Sequence, residues 1–472
     1  MVTFNLMQAS STRWQIRTRP NRHYPFLSRH PWVMANALAH NTLREVPSEG
    51  NFNEIAPLPV DSSSVDSLPN ESVPADPDSV SDAPSEESVD SGPGDHQRRL
   101  PACGDVIDLL DHDGNWVARG LINPGSRLRI RLYAFSSEEQ IDDALWAERI
   151  EQAVARRRLA GSPNPQGGER LIFSESDRMS GLIVDRYADC LSVQITGGVL
   201  IPRAAMLIRE VTAAAARHQT PCQRILVRMD DATVKHEGVS AETLADLQAL
   251  TTLDSQADPT VWYQHNGLEM AIDLQDGQKT GGYLDQQLNH AAAASYMTNR
   301  RVLDVCTYTG GFALAAARAG AQQVVALDSS ERALEIAKRN AERNQLGNIQ
   351  FDQGDCFDDL KERRERGEKF DAIILDPPRF AGSRNQTNAA LRAYTRLNAS
   401  AVDLLPPGGI LVTCSCSGRV SRADFLNMLV DVGRKRGRDL VVLESRGPSP
   451  DHVFAVSCPE SDYLKCIIVQ VM

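Results

Sequence analysis

The stretch Arg301–Asp328 constrains the fold more than any other part of the chain, because it contains a strand, a turn, a helix and a second strand. An apolar run that starts at Val302 is interrupted by Gly310 and Gly311, and an alanine-rich helix follows until Gly320. A second apolar run then closes the unit. This pattern predicts a βαβ unit of a doubly wound parallel sheet, in which ligands bind beyond the carboxyl ends of the strands.

Acidic residues end both strands of this unit. Asp304 ends the first strand, and Asp328 ends the second about 20 positions later, where a carboxylate can bind the hydroxyl groups of a ribose. The three-glycine fingerprint of dinucleotide-binding folds is absent, because Cys306 and Thr307 stand where its first glycines would be. The pattern predicts an adenosine-containing cofactor and makes a nicotinamide dinucleotide less suitable.

Length and composition limit the class of protein. A chain of 472 residues is expected to form two or three domains. It has no apolar run long enough to span a membrane, and its N-terminus lacks the features of a secretory leader. Its nine scattered cysteines form neither a disulfide framework nor paired zinc motifs. We therefore expect reduced thiols, no bound metal and a cytoplasmic location.

The net charge of −12 is unevenly distributed. The segment from Glu45 to Asp95 contains 13 of the 62 acidic residues and no lysine or arginine. The remaining 49 acidic residues are balanced by 50 basic residues. Because the acidity is local, the net charge does not exclude a nucleic-acid partner.

Hydrophobic pattern divides the chain into a β-rich first part, a helical linker, a small α+β domain and an α/β domain. The first part covers residues 1–137 and contains an acid-, serine- and proline-rich insertion at 46–98 that we expect to be disordered. The linker spans 138–168, and residues 169–265 follow the order strand, strand, helix, strand, strand. Strands and helices alternate over 266–472, which predicts a Rossmann-like domain.

Arginines in the first part are candidates for RNA contact. Arg29 lies in an Arg-His-Pro-Trp motif, and Arg127, Arg129 and Arg131 alternate with apolar residues along one strand. A row of arginines on one strand face can follow phosphates. A solvent-exposed strand face without any role in nucleic-acid binding would give the same alternation. The motif at Arg29 would likewise be explained by a solvent-exposed surface around a buried Trp32.

Two further strands of the α/β domain end in polar motifs. Asp376 is followed by two prolines, which prevent further strand pairing and leave its side chain at the edge of the sheet. Cys414 and Cys416 end another apolar strand. Alternation in a strand puts both thiols on one face, so their spacing does not decide which of them reacts.

These motifs resemble, in order, those of S-adenosylmethionine-dependent RNA methyltransferases. The matching segments are DVCTYTGGF from 304, VVALD from 324, GD at 354–355, DPPRF from 376 and SCSG from 415. Together with a DGxKTGxxLDQ segment from 276, they are most similar to the RlmI-type 23S rRNA cytosine-C5 methyltransferases. The resemblance covers nearly the whole chain. It implies an N-terminal PUA domain in residues 1–137, a class I methyltransferase domain in 266–472 and a large-subunit rRNA partner, and it leaves open whether the chain forms a homodimer.

The resemblance also implies roles for individual residues. Asp376 would hydrogen-bond the cytosine ring, and Cys416 would be the nucleophile. The residues that would contact the cofactor S-adenosylmethionine are Asp304, Tyr308, Gly310, Gly311, Asp328, Asp355, Tyr283, Asp285 and Gln286. The residues that would contact RNA are Arg29, Arg127, Arg129 and Arg131.

A cysteine nucleophile has a chemical reason in this reaction. Carbon 5 of cytosine is a poor nucleophile, and a thiolate that adds at carbon 6 makes it reactive towards the sulfonium methyl group. The chain departs from the resemblance at Gln287, where the family has arginine, and no cysteine accompanies the Asp-Pro-Pro turn. Two alternatives stay open: a methyltransferase that acts on a base amine, and a non-catalytic RNA-binding assembly protein.

Overall fold

The computed structural model describes residues 12–47, 99–254, 260–274, 281–380 and 387–472. The expected acidic insertion, except for its first two residues, lies outside these ranges, and so does the DGxKT part of the segment from 276. None of the described helices is long and apolar enough to cross a membrane. Contacts between residues divide the chain into two units.

In the described residues up to 134, the first unit consists of a six-stranded sheet and a short helix. Its elements are β1 (Thr12–Thr18), α1 (Tyr24–Leu27), β2 (Trp32–Met34), β3 (Leu38–Pro47), β4 (Asp105–Leu110), β5 (Trp116–Ile122) and β6 (Leu128–Ala134). The strand order is β2-β6-β5-β4-β1-β3. β4 and β5 pair antiparallel on either side of a turn at Asp113 and Gly114, a residue pair typical of hairpins.

The alternation of exposed and buried residues expected for β6 is not observed, because Leu128 and Arg129 are both half-buried. From Ile130 to Ala134 every residue is buried, so this part of the strand has no solvent-exposed face. The prediction that three arginines line one exposed face is therefore wrong for Arg131, which lies in this buried part.

The second unit begins with α2 (Asp143–Arg157) and a four-stranded sheet. The strands are β7 (Gly168–Phe173), β8 (Leu182–Tyr187), β9 (Cys190–Ile195) and β10 (Arg224–Arg228), and α3 (Ala204–Arg217) connects the last two. Their order is β10-β9-β8-β7, with β9 and β10 parallel and the other pairs antiparallel. Three strands, β7, β8 and β9, precede α3, one more than in the predicted order strand, strand, helix, and β10 follows α3.

Two helices in this region are additional to the prediction. They are α4 (Asp231–Glu237) and α5 (Ala241–Gln248). Ala232–Val239, together with Gly197–Pro202, groups by contacts with the first unit. The expected continuous domain from 169 to 265 is therefore interrupted twice.

The last strand predicted for this domain belongs to another sheet. β11 (Thr260–His265) pairs antiparallel with β12 (Leu268–Asp273) and forms a two-stranded sheet. Asn266 and Gly267 both have positive φ, as a two-residue hairpin turn requires. The predicted domain boundary between residues 265 and 266 falls in the Asn-Gly turn that joins these two strands.

The α/β domain is built on a seven-stranded sheet. Its strands are β13 (Arg301–Val305), β14 (Gln323–Asp328), β15 (Ile349–Gln353), β16 (Ala372–Leu375), β17 (Gly409–Ser415), β18 (Leu440–Arg446) and β19 (Lys465–Val471). Its helices are α6 (Gln287–Ala294), α7 (Gly311–Arg318), α8 (Glu331–Arg343), α9 (Cys356–Glu365), α10 (Thr387–Leu404) and α11 (Arg422–Arg436). The strand order is β15-β14-β13-β16-β17-β19-β18.

Helices cover both faces of this sheet. Leu303 and Ile373 point into one apolar core with α10 and α11, and their neighbours Val302 and Ile374 point into the other with α7. Burial on both faces explains why these strands are continuous apolar runs. The last two strands, β18 and β19, pair antiparallel with each other.

Candidate active site

Four residues with reactive or hydrogen-bonding side chains lie at or just after the carboxyl ends of neighbouring strands of the seven-stranded sheet. β14, β13, β16 and β17 are parallel and adjacent, so their carboxyl ends share this edge. Asp328, Asp304, Asp376 and Cys416 lie at these ends in that order. This arrangement places the residues expected to bind a cofactor beside those expected to react.

The loop after β13 has an unusual backbone. Cys306, Tyr308 and Gly310 all have positive φ, of 63°, 51° and 89°. The backbone N–H of Tyr308 donates to Oδ2 of Asp328 at 2.8 Å, which joins the ends of β13 and β14. The Tyr308 hydroxyl donates to the carbonyl of Gly281 at 2.9 Å. The loop is therefore held in one conformation from both sides.

Two glycines are needed here for different reasons. Gly310 has a left-handed backbone, and a Cβ there would lie 2.4 Å from Cδ1 of Leu314. Gly311 begins α7, and a Cβ there would lie 2.4 Å from Cε1 of the buried His290. The backbone can follow this path only with glycine at both positions, because a side chain at either one would collide with Leu314 or His290.

Asp304 is fully buried beneath this loop. Its Oδ2 accepts a hydrogen bond from the Thr307 hydroxyl at 2.6 Å, and its Oδ1 is buried with no hydrogen-bond partner among the described residues. Burial, with a smaller contribution from Asp328, raises the pKa of Asp304 to about 7. An acceptor in this state fits the ammonium group of a bound amino-acid moiety, which would satisfy it.

The carboxylates of Asp328 and Asp355 can each accept further hydrogen bonds from a nucleoside. Oδ1 of Asp328 accepts from the backbone N–H of Ser330 at 2.9 Å, so each of its oxygens has one bond and a second lone pair. Asp355 caps α9, and Oδ1 alone accepts from Phe357 and Asp358, at 2.8 and 3.2 Å. Both residues can therefore accept further donors.

Asp376 is held by the turn that precedes α6. Nε2 of Gln286 donates to Oδ2 of Asp376 at 3.1 Å. Oδ2 of Asp285 accepts from the hydroxyl of Tyr463 at 2.5 Å. The ring of Tyr283 packs edge-on against Tyr308, with centroids 5.1 Å apart. Three of the residues that the resemblance places at the cofactor lie in this turn. Asp285 and Gln286 form hydrogen bonds with protein groups, and Tyr283 packs against Tyr308 in the loop after β13.

The structure distinguishes the two neighbouring cysteines. Cys414 lies within β17, fully buried, opposite Cys466 of β19. Burial and the nearby Cys466 raise its pKa well above the usual value for a thiol. β17 ends at Ser415, and Cys416 beyond it is partly exposed. The expectation that both thiols share one strand face is wrong, because Cys416 is no longer part of the strand.

Lys465 is a residue near Cys416 that the sequence reasoning missed. It is buried at the start of β19, and its Nζ donates to the carbonyls of Ser417 and Tyr463 at 2.6 and 2.7 Å. Burial lowers its pKa to about 8, while Asp462 and Cys416 act in the opposite direction. The signal in the sequence is a single charge in the otherwise apolar run LKCIIVQV.

The predicted RNA-binding arginines differ in accessibility. Arg29 and Arg127 are exposed. Arg129 is half-buried and donates to the carbonyl of Pro124, and burial lowers its pKa. Arg131 is buried and forms an ion pair with Glu237 at 3.2 Å, so its guanidinium is not placed to contact RNA.

Comparison with known proteins identifies the family. A model of S-adenosylmethionine-dependent methyltransferases matches residues 248–449, and a model of PUA-like domains matches residues 91–135. Ribosomal RNA large subunit methyltransferase I of Tolumonas auensis is 39% identical over 80% of this chain and 93% of its own length. The corresponding protein of Aeromonas hydrophila is also 39% identical, over 78% of this chain and 91% of its own. The chain belongs to the ribosomal RNA large subunit methyltransferase I family.

Solved structures agree with this family's fold. A protein from Streptococcus mutans described as an S-adenosylmethionine-dependent methyltransferase aligns with a TM-score of 0.68 at 15% identity, over 97% of this chain and 99% of its own. SMU.776, described as a methyltransferase and crystallised with SAH, aligns with a TM-score of 0.65 at 18% identity, over 79% of this chain and 92% of its own. The predicted fold class is confirmed: a PUA-like domain precedes a class I methyltransferase domain.

As a member of the ribosomal RNA large subunit methyltransferase I family, the chain is an enzyme that uses S-adenosylmethionine. The residues at the sheet edge fit this cofactor. Asp304 offers a buried acceptor, Asp328 and Asp355 offer further acceptors, and the backbone at Gly310 and Gly311 is free of side chains. When bound there, S-adenosylmethionine supplies an activated methyl group.

Proposed function

We propose that this enzyme methylates carbon 5 of a cytosine in 23S rRNA. Its relatives are named ribosomal RNA large subunit methyltransferases. The observation that carries the choice of carbon 5 is a partly exposed thiol, Cys416, at the strand end next to that of Asp376. A base-amine methyltransferase has no use for such a thiol.

The reaction needs the thiolate of Cys416 to add at carbon 6 of cytosine. The bond to sulfur makes carbon 5 electron-rich, and carbon 5 then takes the methyl group. Asp376 hydrogen-bonds ring nitrogen 3 and stabilises the charge that develops there. A base then takes the proton from carbon 5, and the electron pair of that bond forms the 5,6 double bond and expels Cys416 as the thiolate, which releases the methylated cytosine. The target base must leave its stack to reach this edge of the sheet.

We assign cofactor contact to the residues around the loop after β13: Asp304, Tyr308, Gly310, Gly311, Asp328, Asp355 and Tyr283. Asp285 and Gln286 support this site through Tyr463 and Asp376. We further propose that the PUA-like domain binds RNA through Arg29 and Arg127, which are exposed. All nine cysteines are free thiols, which supports a cytoplasmic location.

The test compares three proteins on the same RNA. Wild type, Cys416→Ala and Cys414→Ala are incubated with labelled S-adenosylmethionine and large-subunit rRNA that lacks its natural methyl groups. The labelled nucleosides are identified after digestion. We expect wild type and Cys414→Ala to produce 5-methylcytosine, and Cys416→Ala to lose about 1,000-fold or more of the rate.

The two variants separate the chemical role from packing. Cys414 is the more deeply buried thiol, so loss of activity caused by packing would be larger in Cys414→Ala. Label in an exocyclic amine, or activity that persists in Cys416→Ala, would refute methylation of carbon 5. It would favour the base-amine alternative instead.

A further inference from the structure

Two thiols are in contact beside the loop after β13. Cys306 is the first residue after β13, and Cys356 is the first residue of α9. Their side chains are hydrogen-bonded to each other, and both are partly exposed. Because β14 and β15 lie between them in sequence, it is the fold that brings these two thiols together.

The backbone on both sides of this contact is anchored to the end of β14, the strand between β13 and β15. The backbone N–H of Thr307 donates to the carbonyl of Leu327 at 2.9 Å, and the N–H of Gly354 donates to the carbonyl of Asp328 at 3.1 Å. Each cysteine lies within two residues of one of these bonds. The contact between the thiols is therefore supported by two backbone segments that the same strand holds in place.

The surroundings give the two thiols different properties. Cys356 lies at the N-terminus of α9, where backbone N–H groups favour an anion. The hydrogen bond from Cys306 lowers the pKa of Cys356, and backbone N–H groups act in the same direction, against burial and Asp355. The same hydrogen bond and burial raise the pKa of Cys306, and Asp328 and Asp376 add to this effect. Cys356 is therefore the better source of a thiolate, and Cys306 is its protonated partner.

We propose that Cys306 and Cys356 form a modification site, a dithiol that hydrogen peroxide oxidises to a disulfide across the cofactor site. Cys306 lies two residues after Asp304, and Cys356 directly follows Asp355. The disulfide joins the two chain segments whose carboxylates are assigned to S-adenosylmethionine. This inference does not depend on which atom of the RNA is methylated.

The oxidation is balanced with one molecule of hydrogen peroxide. The thiolate of Cys356 attacks one peroxide oxygen, so that an S–O bond forms, the O–O bond breaks, and the leaving hydroxide takes up a proton to become water. Cys306 then loses its proton to solvent and attacks the sulfur of this sulfenic acid. The S–S bond forms, the S–O bond breaks, and hydroxide leaves as a second water. The two thiols lose two electrons and two protons, and a dithiol reductant reverses the reaction by exchange.

Formation of the disulfide should weaken the binding of S-adenosylmethionine. A covalent bond brings two sulfur atoms closer together than a hydrogen bond does, so the two segments must move towards each other. The loop after β13 is held on both sides by Tyr308, and such a movement displaces its contacts. Because a displacement of about 1 Å can cost about 100-fold in an oriented site, we expect the affinity to fall about tenfold or more.

The test treats the full-length wild-type protein with hydrogen peroxide and compares it with an untreated sample. After the free thiols are alkylated, peptide mass spectrometry identifies linked cysteines, and calorimetry measures the affinity for S-adenosylmethionine. We expect a peptide pair that contains Cys306 and Cys356 and is two hydrogens lighter than the reduced pair. Affinity should fall in the oxidised protein and return to the untreated value after reduction with dithiothreitol.

A second pair of thiols in the chain provides the matched control. Cys414 and Cys466 are also hydrogen-bonded to each other, but both are fully buried, so they should stay reduced under the same treatment. Cys306→Ser and Cys356→Ser should each keep their affinity for S-adenosylmethionine when treated with peroxide. These variants retain every other thiol, so they exclude effects of oxidation elsewhere.

Three results would overturn the proposal. The first is a wild-type map without the link between Cys306 and Cys356, or with equal linkage of Cys414 and Cys466. The second is a link that forms without lowering the affinity for S-adenosylmethionine. The third is a loss of affinity on oxidation that is as large in Cys356→Ser as in wild type. The wild-type map decides the first point even if a serine variant does not fold.

Discussion

Arg127 and Arg131 are close in sequence but have different surroundings. Arg127 is exposed before β6, whereas Arg131 lies in its buried part and pairs with Glu237. Glu237 also accepts hydrogen bonds from Asn123 and from the backbone of Gly198, at 2.9 and 3.0 Å. Removing Arg131 leaves a buried carboxylate without its charge partner, which costs about 3–5 kcal/mol in comparable cases.

We predict opposite effects for two alanine substitutions. Arg131→Ala should lower the free energy of unfolding of the first unit by several kcal/mol. Arg127→Ala should leave stability within about 0.5 kcal/mol and weaken RNA binding, with a smaller salt dependence. Urea unfolding and RNA titrations at two salt concentrations measure both effects. If Arg131→Ala folds stably and binds RNA more weakly, the assignment of a structural role to Arg131 and an RNA-binding role to Arg127 is contradicted.

Gly310 allows a second prediction at the scale of one residue. Alanine there would have to adopt φ near +89° and would place its Cβ 2.4 Å from Leu314. A left-handed backbone alone costs an alanine about 1–2 kcal/mol. We expect Gly310→Ala to weaken S-adenosylmethionine binding about tenfold or more, as measured by calorimetry. Gly347→Ala is the matched control, because no atom lies within 4 Å of its added Cβ, and equal losses in both would refute the argument.

At the scale of elements, a buried histidine pair packs against the start of α7, directly after the loop that follows β13. Nε2 of His265, on β11, lies 2.7 Å from Nδ1 of His290, on α6, and the ring of His290 packs against Phe312 at the start of α7. Burial lowers the pKa of His265 to about 4, and the pKa of His290 lies well below its usual value. Both rings therefore stay neutral in the folded protein at neutral pH.

This pair should make the methyltransferase domain sensitive to acid. In the unfolded chain each imidazole titrates near pH 6.5, so between pH 6.5 and 4 the unfolded state binds more protons. Stability is fully present above pH 6.5 and falls as the pH decreases, by about 1.4 kcal/mol per pH unit for each ring. Asp304, whose pKa is raised to about 7, acts in the opposite direction over the whole of this range and offsets about one of the two rings.

His265→Gln isolates the contribution of one ring. Glutamine keeps a donor near His290 but does not titrate, so the slope should decrease by about 1.4 kcal/mol per pH unit below pH 6. The free energy of unfolding of the methyltransferase domain is measured with urea from pH 8 to pH 5. Its transition is recognised because added S-adenosylmethionine shifts it. The difference at pH 8 reports packing alone. An unchanged slope would show that the pair does not control acid sensitivity.

Local pattern was sufficient to predict some elements and insufficient for others. The apolar runs around Gly310 and Gly311 predicted β13, α7 and β14, because a buried parallel strand and a glycine turn leave local signals. Cys416 was harder to place, because alternation applies only within a strand and β17 ends at Ser415. The partner of Arg131 is 106 residues away, and one sequence contains no signal of such distant pairing.

At the scale of the whole molecule, a long acidic segment is inserted between two elements of the first unit. β3 ends at Pro47, and the structure describes the chain again from Arg99. NH1 of Arg99 lies 3.4 Å from Oε1 of Glu45, so the described residues on either side of the segment lie close together. A linker of six residues, which reaches about 20 Å when extended, can therefore replace it.

We predict that replacing residues 48–97 with such a linker preserves the enzyme. The composition of the segment provides too few apolar residues for a core, so its removal should cost no packing. Shortening a connection without packing of its own reduces the entropy cost of closing the loop, by up to about 2 kcal/mol. The free energy of unfolding of the first unit should therefore stay equal or rise, and the affinity for S-adenosylmethionine should not change.

The same deletion tests whether the segment competes with RNA. The deletion removes 12 acidic residues and no lysine or arginine. If the segment covers the basic surface at low salt, it weakens RNA binding by the intact protein. Its removal would then raise RNA affinity at low salt and have little effect at high salt. A variant of full length with these 12 residues changed to serine or asparagine separates charge from length. Equal RNA affinity of all three proteins at low salt would exclude competition, and a loss of folding or cofactor binding on deletion would show that the segment is part of the working enzyme.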